Sequence, residues 1–182
     1  DKATICIIGS VHVQNNIYRS FKDFTINDLS LKEEKNIIIN WLNSLKLCEN
    51  GFVKIYHWGH AEKSYINNMK QKYPDIVFPK MILIDLLEIF KNEPIIIKNC
   101  FNFGLKNIGK SLYKYKFIST TWSSTDNGLD AMIRFKEICE ENIGKDIPLK
   151  RYTDISDIIH YNKIDCIVLT EILMFLRKRY LL

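Results

Sequence analysis

His160-Tyr161-Asn162-Lys163-Ile164-Asp165-Cys166 lies within a long amphipathic segment near the end of the 182-residue chain. On an α-helix, positions four apart share a face, so Tyr161 and Asp165 fall one turn apart, in line with Ile158, Val168 and Ile172. A carboxylate thus enters an apolar stripe. Burying a polar group without a partner costs roughly 2–7 kcal/mol, and more when it is ionised, so Asp165 requires a partner such as a cation. A helix break near Lys163 offers the other reading, in which Asp165 is an N-cap.

At 182 residues and 47% hydrophobic content the chain is long enough for one domain with a real core. No apolar run approaches the roughly 20 residues that span a bilayer, and no basic region with a hydrophobic segment and cleavage site opens the chain. A soluble intracellular protein, cytoplasmic or nuclear and compatible with a viral origin, is the expectation. Cys6, Cys48, Cys100, Cys139 and Cys166 form an odd set without a C-x-x-C pair, which fits reduced core thiols better than a disulfide framework or a zinc ribbon. The formal charge of +5 suits a polyanionic partner and equally suits solubility. The chain opens at Asp1, with residues that already read as a strand, and is expected to be a piece of a longer protein.

Ala3–Val13 is a β-branched run, and Ile17–Phe21 alternates apolar with polar, so two antiparallel strands joined at Gln14-Asn15-Asn16 are predicted. From Leu31 to Leu47, Ile37, Ile38, Trp41, Leu42 and Leu45 recur at helical spacing, with Ser30 as N-cap and Glu33 completing a capping box. Phe52–Trp58 reads as a strand ended by Gly59, and His60–Lys72 as a helix. Met81–Phe90, containing Asp85, reads as helical and closed by Pro94, and Ile95–Ile97 as extended. Leu105–Tyr115 is a helix with Lys106, Lys110 and Lys114 on one face and Leu105, Ile108 and Leu112 on the other. After a polar loop, Ser123–Asn127, helices are predicted from Leu129 to Glu141 and from Thr153 or Asp154 to Arg179. Strands early and helices alternating later indicate an α/β domain with a mixed sheet.

Glu62 opens a helix directly after a strand, where ligands gather in open α/β sheets. A Glu there also stabilises the helix macrodipole by about 0.3–1 kcal/mol, which explains it without chemistry. His57 and His60 have H-x-x-H spacing but no second ligand pair, so they read as strand-end and helix-start residues. The stripe Lys106, Lys110 and Lys114, beside Tyr113, Tyr115 and Lys116, suits phosphate contacts and base stacking, or simply a solvated face.

The order of hairpin, helix and strand, then His57-Trp58-Gly59-His60-Ala61-Glu62, Asp85-Leu86, Leu105-Lys106 and Tyr161-x-x-x-Asp165, resembles the ribonuclease H-like 3′–5′ exonuclease fold of the DEDDy type. It is most similar to predicted nuclease domains of uncharacterised bacterial and large DNA-virus proteins. The resemblance implies one domain over residues 1–182, a mixed sheet flanked by helices, and a first strand missing before Asp1 together with its Asp-x-Glu. It implies Tyr161 orienting the attacking water, Asp165, Glu62 and Asp85 as metal ligands, and two Mg²⁺ or Mn²⁺ ions, which all-oxygen ligands suit. It also implies a single-stranded 3′ end of DNA or RNA as substrate. Trp58, His60, Lys106, Lys110 and Lys114, with Lys145, Lys150 and Arg151, would contact the strand. Further domains of a larger nuclease or helicase polypeptide are the implied partners. The alternative is a ribonuclease H-like module that binds nucleic acid or protein without cleaving.

Overall fold

The computed structural model describes residues 4–14, 16–48, 50–93, 95–123, 128–145 and 147–180. In chain order the elements are β1 (Ile7–Gln14), β2 (Ile17–Thr25), α1 (Leu31–Ser44), β3 (Val53–His57), α2 (Ala61–Lys72), β4 (Met81–Asp85), α3 (Leu86–Asn92), α4 (Leu105–Lys114), α5 (Gly128–Glu141), a 3₁₀ turn at Leu149–Arg151, and α6 (Thr153–Tyr180). The chain is α/β. It forms two compact units, residues 1–41 with 122–167 and residues 42–121 with 168–182. The strands pair within two separate two-stranded sheets, one antiparallel and one parallel. Ala3, Asn15, Pro94 and residues 124–127, expected in a strand, a turn, a helix stop and a loop, lie outside the described residues.

In the first unit, β1 and β2 form the expected hairpin, from Ile7 opposite Thr25 to Gln14 opposite Ile17, with an irregularity at His12/Val13. Asn16 takes the turn at φ 61°, a left-handed conformation that Asn tolerates better than most residues. Ser30 caps α1, its Oγ accepting the Glu33 N–H at 3.2 Å. The reciprocal half of the expected capping box does not form. Asp28 takes the Ser30 N–H at 2.7 Å, and the Glu33 carboxylate turns to the backbone and side-chain N–H groups of Asn27. The core gathers Ile26, Ile37, Phe135, Ile138, Cys139, Leu149 and Ile155, with Ile5, Cys6, Ile7, Ile8 and Ile158 packed against it. Glu34 is buried, three and four residues before Ile37 and Ile38 on the same helical face, and accepts the Ile5 N–H at 2.9 Å.

Helix α6 runs unbroken through Lys163, so Asp165 lies mid-helix and is not an N-cap. One turn before it, Asn162 packs directly onto Gly9 of β1, where an added Cβ would overlap the carboxamide. The close approach explains glycine in a strand, where it otherwise weakens pairing.

In the second unit, β3 and β4 pair in parallel, in register from Val53 opposite Met81 to His57 opposite Asp85. The expected helix over Met81–Phe90 is therefore a strand to Asp85 followed by α3. A short apolar run fits a buried strand or a buried helix equally, and pairing with β3 decides it. Ile95–Ile97 belongs to no strand: Ile95 is buried and Ile96 is 91% exposed. In α4, Ile108 and Leu112 are fully buried one turn apart, which leaves Lys110 and Lys114 on the exposed face.

The five cysteines are free. Burial pushes the Cys6 thiol up to about 11 and the Cys139 thiol to about 12, which keeps both protonated and inert. Cys48, expected in the core, is exposed. Among the described residues no helix is long and apolar enough to cross a membrane.

Gly9→Ala forces a methyl group into the space of the Asn162 side chain and should lower stability by about 1–3 kcal/mol, as overpacking typically does. Adding Asn162→Ala should recover most of that loss. Urea denaturation of the three proteins measures it, and an undiminished loss in the double variant would place the strain elsewhere.

Candidate functional site

The carboxyl ends of β3 and β4 bring His57, Glu62 and Asp85 together. Asp85 is the last residue of its strand, and its extended backbone (φ −84°, ψ 109°) makes it the N-cap of α3. Its Oδ1 accepts the Leu87 N–H at 2.9 Å and the Gly59 N–H at 2.8 Å. One carboxylate oxygen therefore ties the turn after β3 to the start of α3. Gly59 sits at φ 78°, which side-chain-bearing residues rarely adopt, so the chain reverses there at little cost.

His57 is 3% exposed. Its Nδ1 lies 2.6 Å from the Gly59 carbonyl, which can only accept, so this nitrogen carries the proton. The same nitrogen is 3.8 Å from Glu62 Oε2. His60 precedes α2 in the N-cap position, without a side-chain cap bond, as its place in the sequence suggested.

The Glu62 carboxyl is held above its ordinary 4.5, chiefly by partial burial and further by the like charge of Asp85. A backbone hydrogen bond and the positive charge available to His57 and His60 pull the other way. Half of the Glu62 side chain meets solvent, which screens these effects.

Beside this cluster opens a shallow groove of about 450 Å³, lined by Trp58, Gly59, His60, Leu87, Lys91 and Phe103 among others. The Trp58 indole N–H donates to the Phe103 carbonyl at 3.0 Å, and its ring packs 5.4 Å from that of Phe90, which is buried. Phe103 is 41% exposed and Phe101 is 95% exposed. Gly104, the N-cap of α4, forms part of the groove wall, so the helix of Lys106, Lys110 and Lys114 starts at the groove. Lys106 is half-buried and the other two are exposed.

Tyr161 and Asp165 belong to the first unit. Both are partly buried, and Asp165 Oδ1 accepts the indole N–H of Trp122 at 2.6 Å. One partner of the carboxylate in the apolar stripe is thus an indole. Trp122 lies 43 residues away, and no local spacing announces it.

Glu62 was legible as a candidate from its place after a strand, and Asp85 only through the Asp-Leu of the resemblance, since its segment read as helical; Phe103 and Lys91 were not singled out, because nothing local marks them as groove residues. Lys145, Lys150 and Arg151 are exposed in the first unit, and Lys150 pairs with Asp23 at 2.5 Å.

Two divalent ions need several carboxylates around them. Among the described residues no three His, Cys, Asp or Glu side chains form a group that could hold a metal ion. Asp85 and Asp165 each commit Oδ1 to N–H donors. The described donor set does not fit a metal pair.

Comparison with known proteins returns no match, whether with family models, curated proteins or solved structures.

Asp85→Ala leaves two N–H groups without their acceptor and should cost about 1–3 kcal/mol, while Asp85→Asn keeps an oxygen in place and should cost less than half as much. Chemical denaturation checks the order, and equal losses would contradict it. Glu62 supplies a pH signature. Its native carboxyl binds a proton more tightly than the unfolded one, so its contribution to stability falls as pH rises from 4.5 through the raised native value. Glu62→Gln should therefore melt at or slightly above wild type at pH 7, and the difference should close below pH 4.5. A gap that widens in acid would reverse the sign.

Proposed function

We propose that this chain is a ribonuclease H-like α/β module that binds single-stranded DNA or RNA in the groove at the carboxyl ends of β3 and β4. The observation that carries the reading is the coincidence of aromatic groove and positive charge. The second unit holds 15 Lys and Arg against seven Asp and Glu, about +8, whereas the first holds 11 against 14, about −3. The whole excess of the +5 chain thus lies in the unit that carries the groove.

Trp58 and Phe103 offer flat apolar surface to unpaired bases, and base–aromatic stacking contributes about 1–3 kcal/mol per base. Lys91 and His60 line the same groove, and Lys110 and Lys114 continue from its wall along α4. Cations in that arrangement follow a phosphate backbone and release its counterions, which makes affinity fall with salt. Stacking reads no particular sequence, so the module discriminates strandedness more than base identity.

A metal-dependent 3′–5′ exonuclease, the activity implied by the resemblance, is the second reading. It is favoured by the unbroken α6, which keeps Tyr161 and Asp165 one turn apart on one face. It needs carboxylates beyond those the described residues gather. The 182-residue chain is therefore expected to cleave labelled single-stranded DNA and RNA little or not at all in Mn²⁺. Robust cleavage that Tyr161→Phe slows would establish the second reading.

Fluorescence anisotropy with labelled oligo-dT and oligo-U tests the first. Affinity should fall steeply with KCl. Phe103→Ala, at a partly exposed ring, should weaken binding by about 1–3 kcal/mol, roughly 5- to 150-fold. Lys110→Glu with Lys114→Glu should flatten the salt dependence. Binding indifferent to all three substitutions would place the strand elsewhere, and no binding at low salt would end the proposal.

A further inference from the structure

Within the first unit, the carboxylate of the Tyr161-x-x-x-Asp165 motif meets the indole of Trp122. Trp122 is 5% exposed, and its ring nitrogen is a donor with no capacity to accept, so away from solvent it must find an oxygen. Asp165 supplies that oxygen at 2.6 Å, a short contact of the charge-assisted kind. Asp165 lies mid-helix and partly buried, with Tyr161 one turn before it. No three metal-ligating side chains among the described residues form a group around it or elsewhere.

We infer that Asp165 anchors Trp122 and is not a cation ligand: in this chain the aspartate of the motif seats a buried tryptophan against α6. The inference concerns the first unit alone and stands apart from nucleic-acid binding by the second.

The two roles differ in what they ask of the side chain. An anchor needs an acceptor oxygen, which asparagine also has. A cation ligand needs the charge, which asparagine lacks. Melting temperatures of wild type, Asp165→Asn, Asp165→Leu and Trp122→Phe, with and without millimolar MnCl₂, separate them.

Asp165→Asn should melt within about 3 °C of wild type. Asp165→Leu strands the indole N–H and should melt about 3–10 °C lower, the scale of one lost charge-assisted bond in a chain of this length. Trp122→Phe should fall in the same range, and the double variant Trp122→Phe/Asp165→Leu should lose less than the two single losses added. Wild type and Asp165→Asn should respond identically to Mn²⁺, whether by no shift or by the same shift.

The inference is overturned if Mn²⁺ raises the melting temperature of wild type and not that of Asp165→Asn, or if Asp165→Asn falls as far as Asp165→Leu. Should the leucine variant fail to fold, the Mn²⁺ comparison between wild type and Asp165→Asn decides alone.

Discussion

The Asp85 carboxylate does the work of two caps. By taking the Leu87 N–H it starts α3, and by taking the Gly59 N–H with the same oxygen it pins the turn that leaves β3. The register of the parallel pair places it opposite His57, so these bonds form only if the pairing is in register. Everything at this end of the second unit then follows. Gly59 reverses the chain, His57 Nδ1 donates to the Gly59 carbonyl, and Trp58 and His60 flank Gly59 in the turn. Asp85 is an Asp for a local reason, helix capping, and for a tertiary one, the fixing of a neighbouring strand end.

The electrostatics of that end are mixed in sign. Partial burial, with the like charge of Asp85 adding to it, raises the proton affinity of the Glu62 carboxyl. Around this acidic pair lies a unit with an excess of eight positive charges. Under the proposed binding reading, the excess would attract a polyanion at long range and the groove would hold it at short range. In that proposal the loss of affinity at high salt comes from the first of these forces, and tolerance of base identity from the second.

The motif on α6 shows how one pattern of residues admits two chemistries. Tyr161 and Asp165 stand on one face, as helical spacing requires, and an aspartate in an apolar stripe must be compensated. A cation and an indole N–H both compensate it. Which one does so depends on whether further carboxylates converge on the same point, and among the described residues they do not. Trp122 takes part in that role by donating its indole N–H to Oδ1 of the carboxylate. The resemblance to ribonuclease H-like exonucleases rests on the order of elements and on this spacing, and both are compatible with a module that binds without cutting.

By itself the sequence determined those features that depend on residues within a few positions of each other. These include the β1–β2 hairpin, the Ser30 cap, the amphipathic faces of α1 and α4, the strand–turn–helix at His57–Glu62, and the unbroken run of α6. Each is a matter of period, cap or turn, and each was legible. What only the tertiary structure decided involves partners far apart in the chain. Met81–Asp85 is a strand because β3 lies beside it, although its apolar run suits a helix equally. Glu34 is buried and accepts the N–H of Ile5, 29 residues away. Asp165 meets the indole N–H of Trp122, 43 residues distant, and the positive charge gathers in a unit assembled from two separate stretches of the chain, which crosses between units three times. Periodicity records which face of an element is apolar; it holds no record of which donor will meet a buried acceptor, because that depends on which distant segments fold together.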